Sequence, residues 1–447
     1  MKPSVAVIGG GLAGLSAAFD LHRGGVDVAV YEASDRWGGK VWSSLVGNRL
    51  VDAGADSFLA RVPQGRALCA DLGLVDELTS PVAPVPAYLH RDGHLHPLPA
   101  GTMLGVPTDL DVLIGGNLIS PAGIARAKDD LHLPGTALDD DISVGAFFRE
   151  RLGNEITERL IDPMVGGINA SDIDRLSLRS ASPQLAAAAS AGSSIIRGLA
   201  EARARVGATL GSAGAAPVFH GLPGGIARIV DRLVEELPPT AVHLGADVSL
   251  EALDASRVIL ATPAPAAAAL LADVSPTASE LLSQIDYASV AQVTVELPRG
   301  AVDPVLDASG VLFPRVDGLL ITACTWFSTK WAHYATSDSV LIRMTCGRFG
   351  DDRHAAFGDE QLAATLLAEL GTVIDISDGP TAQRVHRWNN ALPQYAPGHG
   401  SRIEAIVAAL AADAPHIELA GAAYRGIGIP ATIDSGRQAA SRILASP

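Results

Sequence analysis

A glycine-rich turn near the start of the chain constrains the fold most strongly. Gly9, Gly11 and Gly14 form the pattern G-x-G-x-x-G directly after an apolar run at residues 5–8. An alanine-rich segment follows, and a second apolar run leads to Glu32. This order is typical of a βαβ unit in which a helix N-terminus meets a pyrophosphate and the acid binds a ribose. The sequence therefore predicts a dinucleotide-binding site that contains Gly9, Gly10, Gly11, Leu12, Ala13, Gly14, Glu32 and Ala33.

A second glycine pair, Gly38 and Gly39, follows Glu32 within a few residues and precedes Lys40. Glycines this close to the ribose-binding acid indicate a second approach of the backbone to a pyrophosphate, although an ordinary turn gives the same pattern. NAD-dependent dehydrogenases do not need this second approach. The pattern resembles that of the flavoproteins that include amine oxidases, phytoene desaturase-like enzymes and protoporphyrinogen oxidases. The resemblance implies FAD as the cofactor, with Gly39 and Lys40 among its contacts.

Length, composition and charge exclude several classes of protein. A chain of 447 residues is long for one hydrophobic core, so we expect two interleaved domains. The hydrophobic fraction of 48% and the charged fraction of 18% fit a well-buried globular enzyme. The net charge of −16 argues against nucleic acid as a partner, because phosphate binding needs a basic face. The same charge disfavours strong attachment to anionic lipid.

The cysteines and the apolar segments favour a cytoplasmic protein without a membrane span. Cys69, Cys324 and Cys346 are odd in number and lack metal-ligand spacing, so reduced and mostly buried thiols are expected. The first predicted strand begins within a few residues of Met1, so no signal peptide is expected. The longest apolar stretch, residues 258–272, contains two prolines and falls short of the about 20 residues that a bilayer requires.

The predicted fold class is α/β, with a Rossmann-like FAD-binding domain interleaved with a mixed α+β substrate-binding domain. The expected FAD-binding domain comprises residues 1–80, 215–272 and 385–447, and the expected substrate-binding domain comprises residues 85–210 and 275–384. Apolar patterns and turn residues predict strands at 241–248, 258–261, 291–297, 319–325, 340–346 and 417–421, a hairpin at 91–99, a proline-rich loop at 81–86, and helices from 143 onward, at 226–237 and at 433–444.

Short motifs along almost the whole chain narrow the resemblance. They are GADSFLAR (54–61), LHPLPAG with GVPT (95–108), SVGAFFRERLG (143–153), DRLSLRSASPQL (174–185), GLPGGI (221–226), ITACTWFSTKW (321–331), ALPQYAPGH (391–399) and LAGAAYRGIGIP (419–430). In this order and at these spacings the chain resembles the porphyrinogen oxidase branch of the flavoproteins, particularly the coproporphyrinogen III oxidases of Gram-positive bacteria. The resemblance implies an enzyme of haem biosynthesis that oxidises coproporphyrinogen III to coproporphyrin III with O₂, giving H₂O₂.

The resemblance also assigns site residues. It adds to the FAD contacts Gly54, Ala55, Asp56, Ser57, Val248, Trp388, Ile427, Gly428 and Ile429, and it places Arg61, Gly167 and Asn169 beside the substrate. Because coproporphyrinogen carries four propionates, cations are required near it; Arg61, Arg175, Arg179 and Lys330 are the candidates. The turn at residues 426–428 precedes a helix whose N-terminus would favour negative charge on the flavin pyrimidine.

Two features depart from the family pattern. Relatives have a β-meander after the adenine-contacting strand, whereas Val248 and Val258 are only about ten residues apart here, so the meander is lost or shortened. Gly166 and Asn169 replace a serine and an aromatic residue in a segment near the substrate, which leaves more room and one more hydrogen-bonding group there. The alternatives are therefore protoporphyrinogen IX oxidation, a diverged flavin oxidase with another reduced substrate, and a non-catalytic FAD-binding protein that partners haem-pathway enzymes.

No acid–base constellation is visible, and no residue is assigned a catalytic role. His90, His94 and His96 lie in the predicted hairpin, where solvated surface histidines are a simpler interpretation than a metal site. Serine, histidine and aspartate residues are present, but in no nucleophile-elbow context. The cofactor is therefore expected to carry the chemistry, while the protein binds and orients the substrate.

Overall fold

The structure is a computed structural model that describes residues 4–82, 87–134, 140–191, 194–210, 217–303 and 307–445. The predicted proline-rich loop at 81–86 lies mostly outside the described residues. Among the described residues, no helix has both the length and the apolar character needed to span a bilayer.

Twenty strands occur in the described parts of the chain. They are Ser4–Ile8 (β1), Asp27–Glu32 (β2), Ser43–Val46 (β3), Arg49–Asp52 (β4), Phe58–Leu59 (β5), Ala87–Arg91 (β6), His94–Pro97 (β7), Thr102–Met103 (β8), Val106–Pro107 (β9), Phe219–His220 (β10), Val242–Leu244 (β11), Arg257–Leu260 (β12), Tyr287–Pro298 (β13), Val302–Asp303 (β14), Gly310–Leu312 (β15), Ile321–Trp326 (β16), Ser339–Cys346 (β17), Asp375–Ile376 (β18), Ala382–Pro393 (β19) and Ile417–Leu419 (β20).

The α-helices in the same parts of the chain range from single turns to five turns. They are Leu12–Arg23 (α1), Pro63–Asp71 (α2), Pro121–Lys128 (α3), Val144–Leu152 (α4), Asn154–Ile156 (α5), Gly167–Asn169 (α6), Leu178–Ala181 (α7), Pro183–Ala191 (α8), Ile195–Leu210 (α9), Ala227–Glu235 (α10), Ala264–Leu271 (α11), Pro276–Ser283 (α12), Phe327–Lys330 (α13), Asp359–Leu370 (α14), His399–Asp413 (α15) and Ile429–Ala445 (α16).

The chain divides into two compact units, each built from more than one segment. Unit 1 contains the described parts of Met1–Ser80, Pro217–Asp286 and Gly400–Pro447. Unit 2 contains the described parts of Pro81–Ala216 and Tyr287–His399. Residues 385–399, which we assigned to the FAD-binding domain, therefore belong to unit 2, because β19 pairs with β13 along most of its length. Helix α12, assigned to the substrate-binding domain, belongs to unit 1.

Unit 1 is built on a five-stranded parallel sheet in the order β11-β2-β1-β12-β20. Valines of β1 and β2 are buried in the same core cluster as small residues of α1. The small residues let the helix pack closely on the sheet. Helix α16 packs on α1, and a Cβ at Gly436 would overlap the carbonyl oxygen of Ala13. The first βαβ unit thus forms as the sequence predicts, and the last helix joins it.

Unit 2 is built on a seven-stranded mixed sheet in the order β19-β13-β17-β16-β15-β6-β7. Neighbouring strands are antiparallel except β15 and β6, which are parallel. Its core is formed by apolar side chains of β13, β16 and β17 together with α14. The predicted hairpin at 91–99 corresponds to the β6–β7 hairpin. This hairpin begins at Ala87, four residues earlier than predicted, and ends at Pro97. This architecture confirms the predicted fold class.

A ten-residue π-helix, Thr157–Gly166, precedes α6 in unit 2. Pro163 lies inside it and lacks the backbone N–H that an α-helical ladder would use. π-helical segments of this length are rare and occur frequently at functional sites. The sequence predicted helix in this region but not its type.

Candidate functional site

The first glycine turn of unit 1 is held tightly at the carboxyl end of β1. The backbone N–H of Gly9 donates to the carbonyl of Tyr31 over 2.8 Å, and the φ of Gly9 is +111°. A Cβ at Gly9 would lie 2.7 Å from the carbonyl oxygen of Ala261, and a Cβ at Gly14 would overlap the carbonyl of Gly9. A side chain at Gly9 would therefore push the turn away from the end of β12, and one at Gly14 would push α1 away from the turn.

Gly11 is a glycine for a different reason. It has extended backbone at the N-cap of α1, and apart from Gly11 and its two chain neighbours no atom of the described residues lies within 4 Å of the position that a Cβ would take. Space beside the first N–H groups of a helix is where a pyrophosphate binds. The second glycine turn lies alongside, since Gly38 N donates to Gly10 O over 2.8 Å. A Cβ at Gly39 would lie 3.4 Å from Gly11 Cα.

Glu32 connects the two turns. Its Oε2 accepts from Gly10 N over 2.7 Å, and its Oε1 accepts from the backbone N and the hydroxyl of Ser34 over 2.9 and 2.6 Å. The carboxylate is half-buried, and its position at the end of β2 is the one that binds ribose hydroxyls in dinucleotide-binding folds. Ala33 is exposed beside it. The predicted acid therefore also fixes the turn that would meet the pyrophosphate.

Arg36 and Lys40 flank the second turn. The Arg36 guanidinium donates to Gly39 O over 2.6 Å and lies 4.7 Å from the ring of Trp42. Burial lowers its pKa, an effect that Glu32 partly opposes. The Lys40 side chain reaches solvent, but desolvation by the surrounding protein lowers the pKa of its ammonium to about 8. Sequence reasoning identified Lys40 but missed Arg36, because nothing in its spacing shows that it binds the Gly39 carbonyl.

The residues after β4 are positioned by an acid that we did not predict. Gly54, Ala55, Asp56 and Ser57 occupy the loop between β4 and β5. At its start, Asp52 is 4% exposed; its Oδ1 accepts from the Ser43 hydroxyl over 2.7 Å and from Ile226 N over 2.8 Å. Asp52 thereby joins the β3–β4 hairpin to the start of α10, where Gly225 and Ile226 of the GLPGGI motif are buried.

Val248 does not lie in a strand. β11 ends at Leu244, so the predicted strand at 241–248 is too long by four residues. The chain still runs beside the acidic turn, because Ala246 N donates to Glu32 O over 2.8 Å. Between β11 and β12, within the continuously described residues 217–303, the chain forms only the 3-10 helix Leu250–Ala252 and no strand. The sequence predicts that the meander is lost or shortened, and the structure shows that it is lost in this stretch.

The C-terminal turn lies at the carboxyl end of β20. Gly426 has a φ of +136°, and a Cβ there would lie 2.6 Å from the Cβ of Ala431. Ile427 and Gly428 lead into α16, which begins at Ile429, four residues earlier than predicted. Pro430 fits its first turn because that position needs no N–H partner. The helix N-terminus is thus formed by the predicted turn residues.

These turns occupy one edge of the parallel sheet. The chain leaves β1 between neighbours on opposite sides, β2 and β12, so a topological switch point lies at their carboxyl ends. Crevices at switch points are where doubly wound folds bind nucleotides. The open space at Gly11, the paired glycine turns and the Glu32 carboxylate fit a dinucleotide such as FAD.

Trp388, Gly167 and Asn169 lie in unit 2, whereas Arg61 lies in an exposed turn of unit 1 between β5 and α2. Trp388 is opposite Val290 in the β13–β19 ladder and packs in a small cluster. The members of this cluster are Ala170, Ala288, Val290, Phe349, Trp388 and Leu392. Trp388 is therefore positioned by the unit 2 sheet.

The segment after the π-helix exposes some residues and buries others. Gly167 is exposed, whereas Asn169 is 7% exposed and its Nδ2 donates to the carbonyl of Val165 over 2.8 Å. The amide donor that we expected beside the substrate is therefore used inside the helix. Ala170 ends α6 with a φ of +46°, and Gln394 Nε2 donates to Asn169 O over 3.2 Å.

Buried ionic groups lie behind this segment. Arg348 and Asp162 are 3.9 Å apart and almost fully buried. Burial raises the pKa of the Asp162 carboxyl, and Arg348 and Arg315 only partly offset this. Nothing in their sequence spacing indicates this pairing, because 186 positions separate the two partners.

His90 is not the solvated surface residue that we expected. It is 6% exposed, and its Nδ1 lies 2.7 Å from Asp317, which Arg159 also contacts over 3.1 Å. Burial alone would raise the pKa of Asp317, but the bonds to His90 and Arg159 outweigh it and lower the pKa. Among the described residues, no group of three or more histidine, cysteine or acidic side chains could hold a metal ion.

Comparison with protein families decides the class. The model of flavin containing amine oxidoreductases matches residues 12–444, which include the second glycine turn and the C-terminal turn. The chain belongs to this family of flavin containing amine oxidoreductases. FAD is the cofactor, as the glycine turns and Glu32 predict.

Individual members of the family match end to end. A Bacillus subtilis (strain 168) protein named coproporphyrinogen III oxidase is 35% identical over 464 residues, covering 99% of this chain and 98% of the relative. A Staphylococcus aureus protein of the same name is 30% identical over 473 residues and the full length of both. A crystal structure from Exiguobacterium sp. 255-15, provisionally named a protoporphyrinogen oxidase, has a TM-score of 0.86 at 29% identity, covering 99% of both chains.

The thiols of this family member are packed groups. Cys69, Cys324 and Cys346 are all free and buried, as expected. Burial raises the pKa of Cys69 to about 11 and that of Cys346 to about 12, and it raises that of Cys324 well above the usual value. Because the thiolate is the reactive form, these cysteines are inert near neutral pH.

Proposed function

We propose that this family member is an FAD-dependent oxidase that converts coproporphyrinogen III to coproporphyrin III. Three successive two-electron oxidations each reduce one O₂ to H₂O₂. The observation that carries the proposal is the end-to-end match to two proteins named coproporphyrinogen III oxidase, at 35% and 30% identity. The open position beside Gly11 at the N-terminus of α1 supports it from the side of the cofactor.

In this proposal unit 1 is the FAD-binding domain and unit 2 is the substrate-binding domain. Glu32 accepts hydrogen bonds from the adenosine ribose, and Gly11 with Gly39 allow the pyrophosphate to approach the backbone. Lys40 supplies a cation beside the phosphates. The remaining proposed contacts are Gly9, Gly10, Leu12, Ala13, Gly14, Ala33, Gly54, Ala55, Asp56, Ser57, Val248, Trp388, Ile427, Gly428 and Ile429.

The protein's contribution to the chemistry is electrostatic and positional. When bound, FAD would supply the oxidising capacity, as acceptor of hydride from the substrate and donor of electrons to O₂. The N-terminus of α16 carries the positive end of a helix dipole, and we assign it to the flavin pyrimidine, where it favours negative charge by roughly 0.3–2 kcal/mol. No side-chain acid or base is assigned a catalytic role.

On the substrate side we assign Arg61, Gly167 and Asn169. Arg61 supplies an exposed cation for a propionate. Gly167 presents backbone without a side chain, and Asn169 acts by its small volume, since its amide is bound to Val165. We further propose that the reaction takes place in the cytoplasm, with O₂ as acceptor and only transient contacts with other haem-pathway enzymes.

A comparison of substrates tests the proposal. The purified yellow holoenzyme is given coproporphyrinogen III or protoporphyrinogen IX in air, and porphyrin fluorescence is followed. We expect a higher kcat/KM for coproporphyrinogen III. Preference for protoporphyrinogen IX would transfer the assignment to that substrate, and FAD binding without turnover of either would leave the non-catalytic alternative. A protein that purifies colourless and binds NADH better than FAD would refute the cofactor assignment.

A further inference from the structure

The connection between β15 and β16 of the unit 2 sheet contains the 3-10 helix Arg315–Asp317. Its backbone is fixed, since Gly318 N donates to Arg315 O over 3.0 Å and Gly318 has a φ of +72°. The two strands that it joins are antiparallel neighbours in the sheet. The charged side chains at the two ends of this β15–β16 turn are therefore held by a rigid part of the fold.

Asp317 bonds the turn to the start of the π-helix. Its side chain is 7% exposed, and its Oδ1 accepts from Arg159 over 3.1 Å. Its Oδ2 lies 2.7 Å from His90 Nδ1. Because His90 Nε2 accepts from Gly93 N over 3.2 Å, the proton of the neutral ring is on Nδ1 and is donated to Asp317. Both carboxylate oxygens of Asp317 are thus bonded, one to the π-helix and one to the β6–β7 hairpin.

Arg315 bonds the same turn to the other end of the π-helical segment. Its guanidinium donates to Ser171 O over 3.4 Å and to Phe349 O over 3.2 Å. Phe349 N in turn donates to Ala170 O over 2.8 Å. The β15–β16 turn therefore holds the stretch 159–171 at both of its ends.

The backbone between these two anchors has conformations that need support from outside. Most of it is π-helix, which is rare, and Pro163 within it has no N–H to donate. Ala170 has a φ of +46°, which is unfavourable for a residue with a side chain. Such conformations persist only where surrounding contacts enforce them.

We propose that the β15–β16 turn keeps the π-helix in register and thereby places Gly167 and Asn169 for the substrate, with Arg315 and Asp317 as positioning residues. The inference rests on the proposed function, which assigns Gly167 and Asn169 to the substrate. If the π-helix rewound to an α-helix, its hydrogen bonds would shift by one residue and the side chains that follow would turn to another face. Asn169, whose amide is bonded to Val165 O, would then be displaced.

Hydrogen exchange of the holoenzyme tests the inference without any turnover. In Asp317→Asn one carboxylate oxygen becomes an amide N–H₂, so the bonds from Arg159 and His90 cannot both be kept. Amides of residues 163–171, followed by mass spectrometry, should exchange about tenfold faster than in wild type. Arg315→Met removes the other anchor and should act in the same direction. Unchanged exchange in both variants would overturn the inference.

Substrate binding should weaken together with the faster exchange. Asp317→Asn should raise KM for coproporphyrinogen III roughly tenfold with a much smaller change in kcat, and should weaken binding of the stable product coproporphyrin III by a similar factor. Arg159→Met should have a similar effect. The double variant should be no worse than the more affected single variant, because both changes remove the same contact. Independent, additive effects of the two changes would contradict the proposed role of this contact.

Glu369→Gln is the matched control. The Glu369 carboxylate accepts from Leu320 N over 2.9 Å and from Ile321 N over 2.7 Å, so the variant removes the same charge from a carboxylate that bonds the same β15–β16 connection. It should leave KM and the exchange of residues 163–171 unchanged, and effects equal to those of Asp317→Asn would overturn the inference. If Asp317→Asn does not fold, Arg159→Met and Arg315→Met decide by the same measurements. Failure of wild type to oxidise coproporphyrinogen III would instead refute the proposed function, and the exchange comparison would still decide whether the turn holds the π-helix.

Discussion

Glu32 has two roles, of which the sequence motif indicates only one. The motif assigns it to the ribose, and the structure also bonds its carboxylate to Gly10 N and to Ser34. The acid therefore also organises the pyrophosphate turn. Glu32→Ala should weaken FAD binding roughly 10- to 100-fold, since charge-assisted hydrogen bonds are lost. Equilibrium dialysis measures this, and Asp27→Ala, exposed at the start of the same strand, should bind FAD like wild type.

Substitutions at two glycines of the first turn should affect folding and cofactor binding separately. A Cβ at Gly14 would overlap the carbonyl of Gly9, so Gly14→Ala should destabilise the protein by about 1–3 kcal/mol through overpacking. Gly11 has open space and an extended backbone, so Gly11→Ala should keep the thermal stability of the apoprotein and lose FAD affinity. Thermal melts and FAD titrations measure the two effects. Normal FAD binding by Gly11→Ala would contradict the assigned pyrophosphate position.

Lys40 should make FAD binding depend on pH. Its pKa of about 8 in the free protein leaves it mostly charged at pH 7 and mostly neutral at pH 9.5. A bound pyrophosphate favours the charged form and raises this pKa, so affinity should fall as the pH rises above about 8. The FAD dissociation constant, measured from pH 7 to 9.5, should rise in wild type and stay flat in Lys40→Met. The same pH dependence in both would remove Lys40 from the site.

At the scale of elements, the contact between α1 and α16 is sensitive to side-chain size. Gly436 lies against Ala13 in the first turn of α1, and a Cβ would overlap the carbonyl of Ala13. Gly436→Ala should therefore cost about 1–3 kcal/mol and also weaken FAD retention, because it displaces the helix N-terminus beside Gly11. Denaturant unfolding and flavin content measure both. Gln438→Ala, exposed on the same helix, should change neither.

Elements with local signals could be predicted, and elements set by distant partners could not. The strand–turn–helix order around Gly9 follows from apolar periodicity and glycine spacing. Helix α16 begins at Ile429, whereas we predicted its start at residue 433. Pro430 already marked the first helical turn, but the prediction did not extend the helix back to it. The overlong strand before Val248 reflects an apolar pattern that continues after β11 has ended. Strand pairing placed residues 385–399 in unit 2, and no local pattern carries that information.

Buried polar partners were the least predictable part of the candidate site. Asp52 bonds Ile226 across 174 positions, and His90 meets Asp317 across 227. A single sequence contains no spacing rule for such pairs. The sequence predicted the glycine turns because their chemistry depends on neighbouring residues. The contact of Asn169 with Val165 instead depends on a π-helix, and hydrophobic periodicity does not indicate a π-helix.

At the scale of the whole molecule, the chain passes between the two units more than once. Each unit is assembled from at least two segments, so neither can be produced by cutting the chain at one position. The prediction of two interleaved domains from length alone was possible because 447 residues exceed what one core accommodates. Their proposed roles in binding FAD and substrate depend on the residues each carries, which is why variants, rather than truncations, test them.

The most direct test of the account is the stoichiometry of one reaction. Wild-type holoenzyme is mixed with a known amount of coproporphyrinogen III in air, and coproporphyrin III and H₂O₂ are quantified together. Our account predicts complete conversion to coproporphyrin III with three H₂O₂ formed for each porphyrin. A protein that retains FAD but produces neither porphyrin nor peroxide above the uncatalysed rate would contradict it.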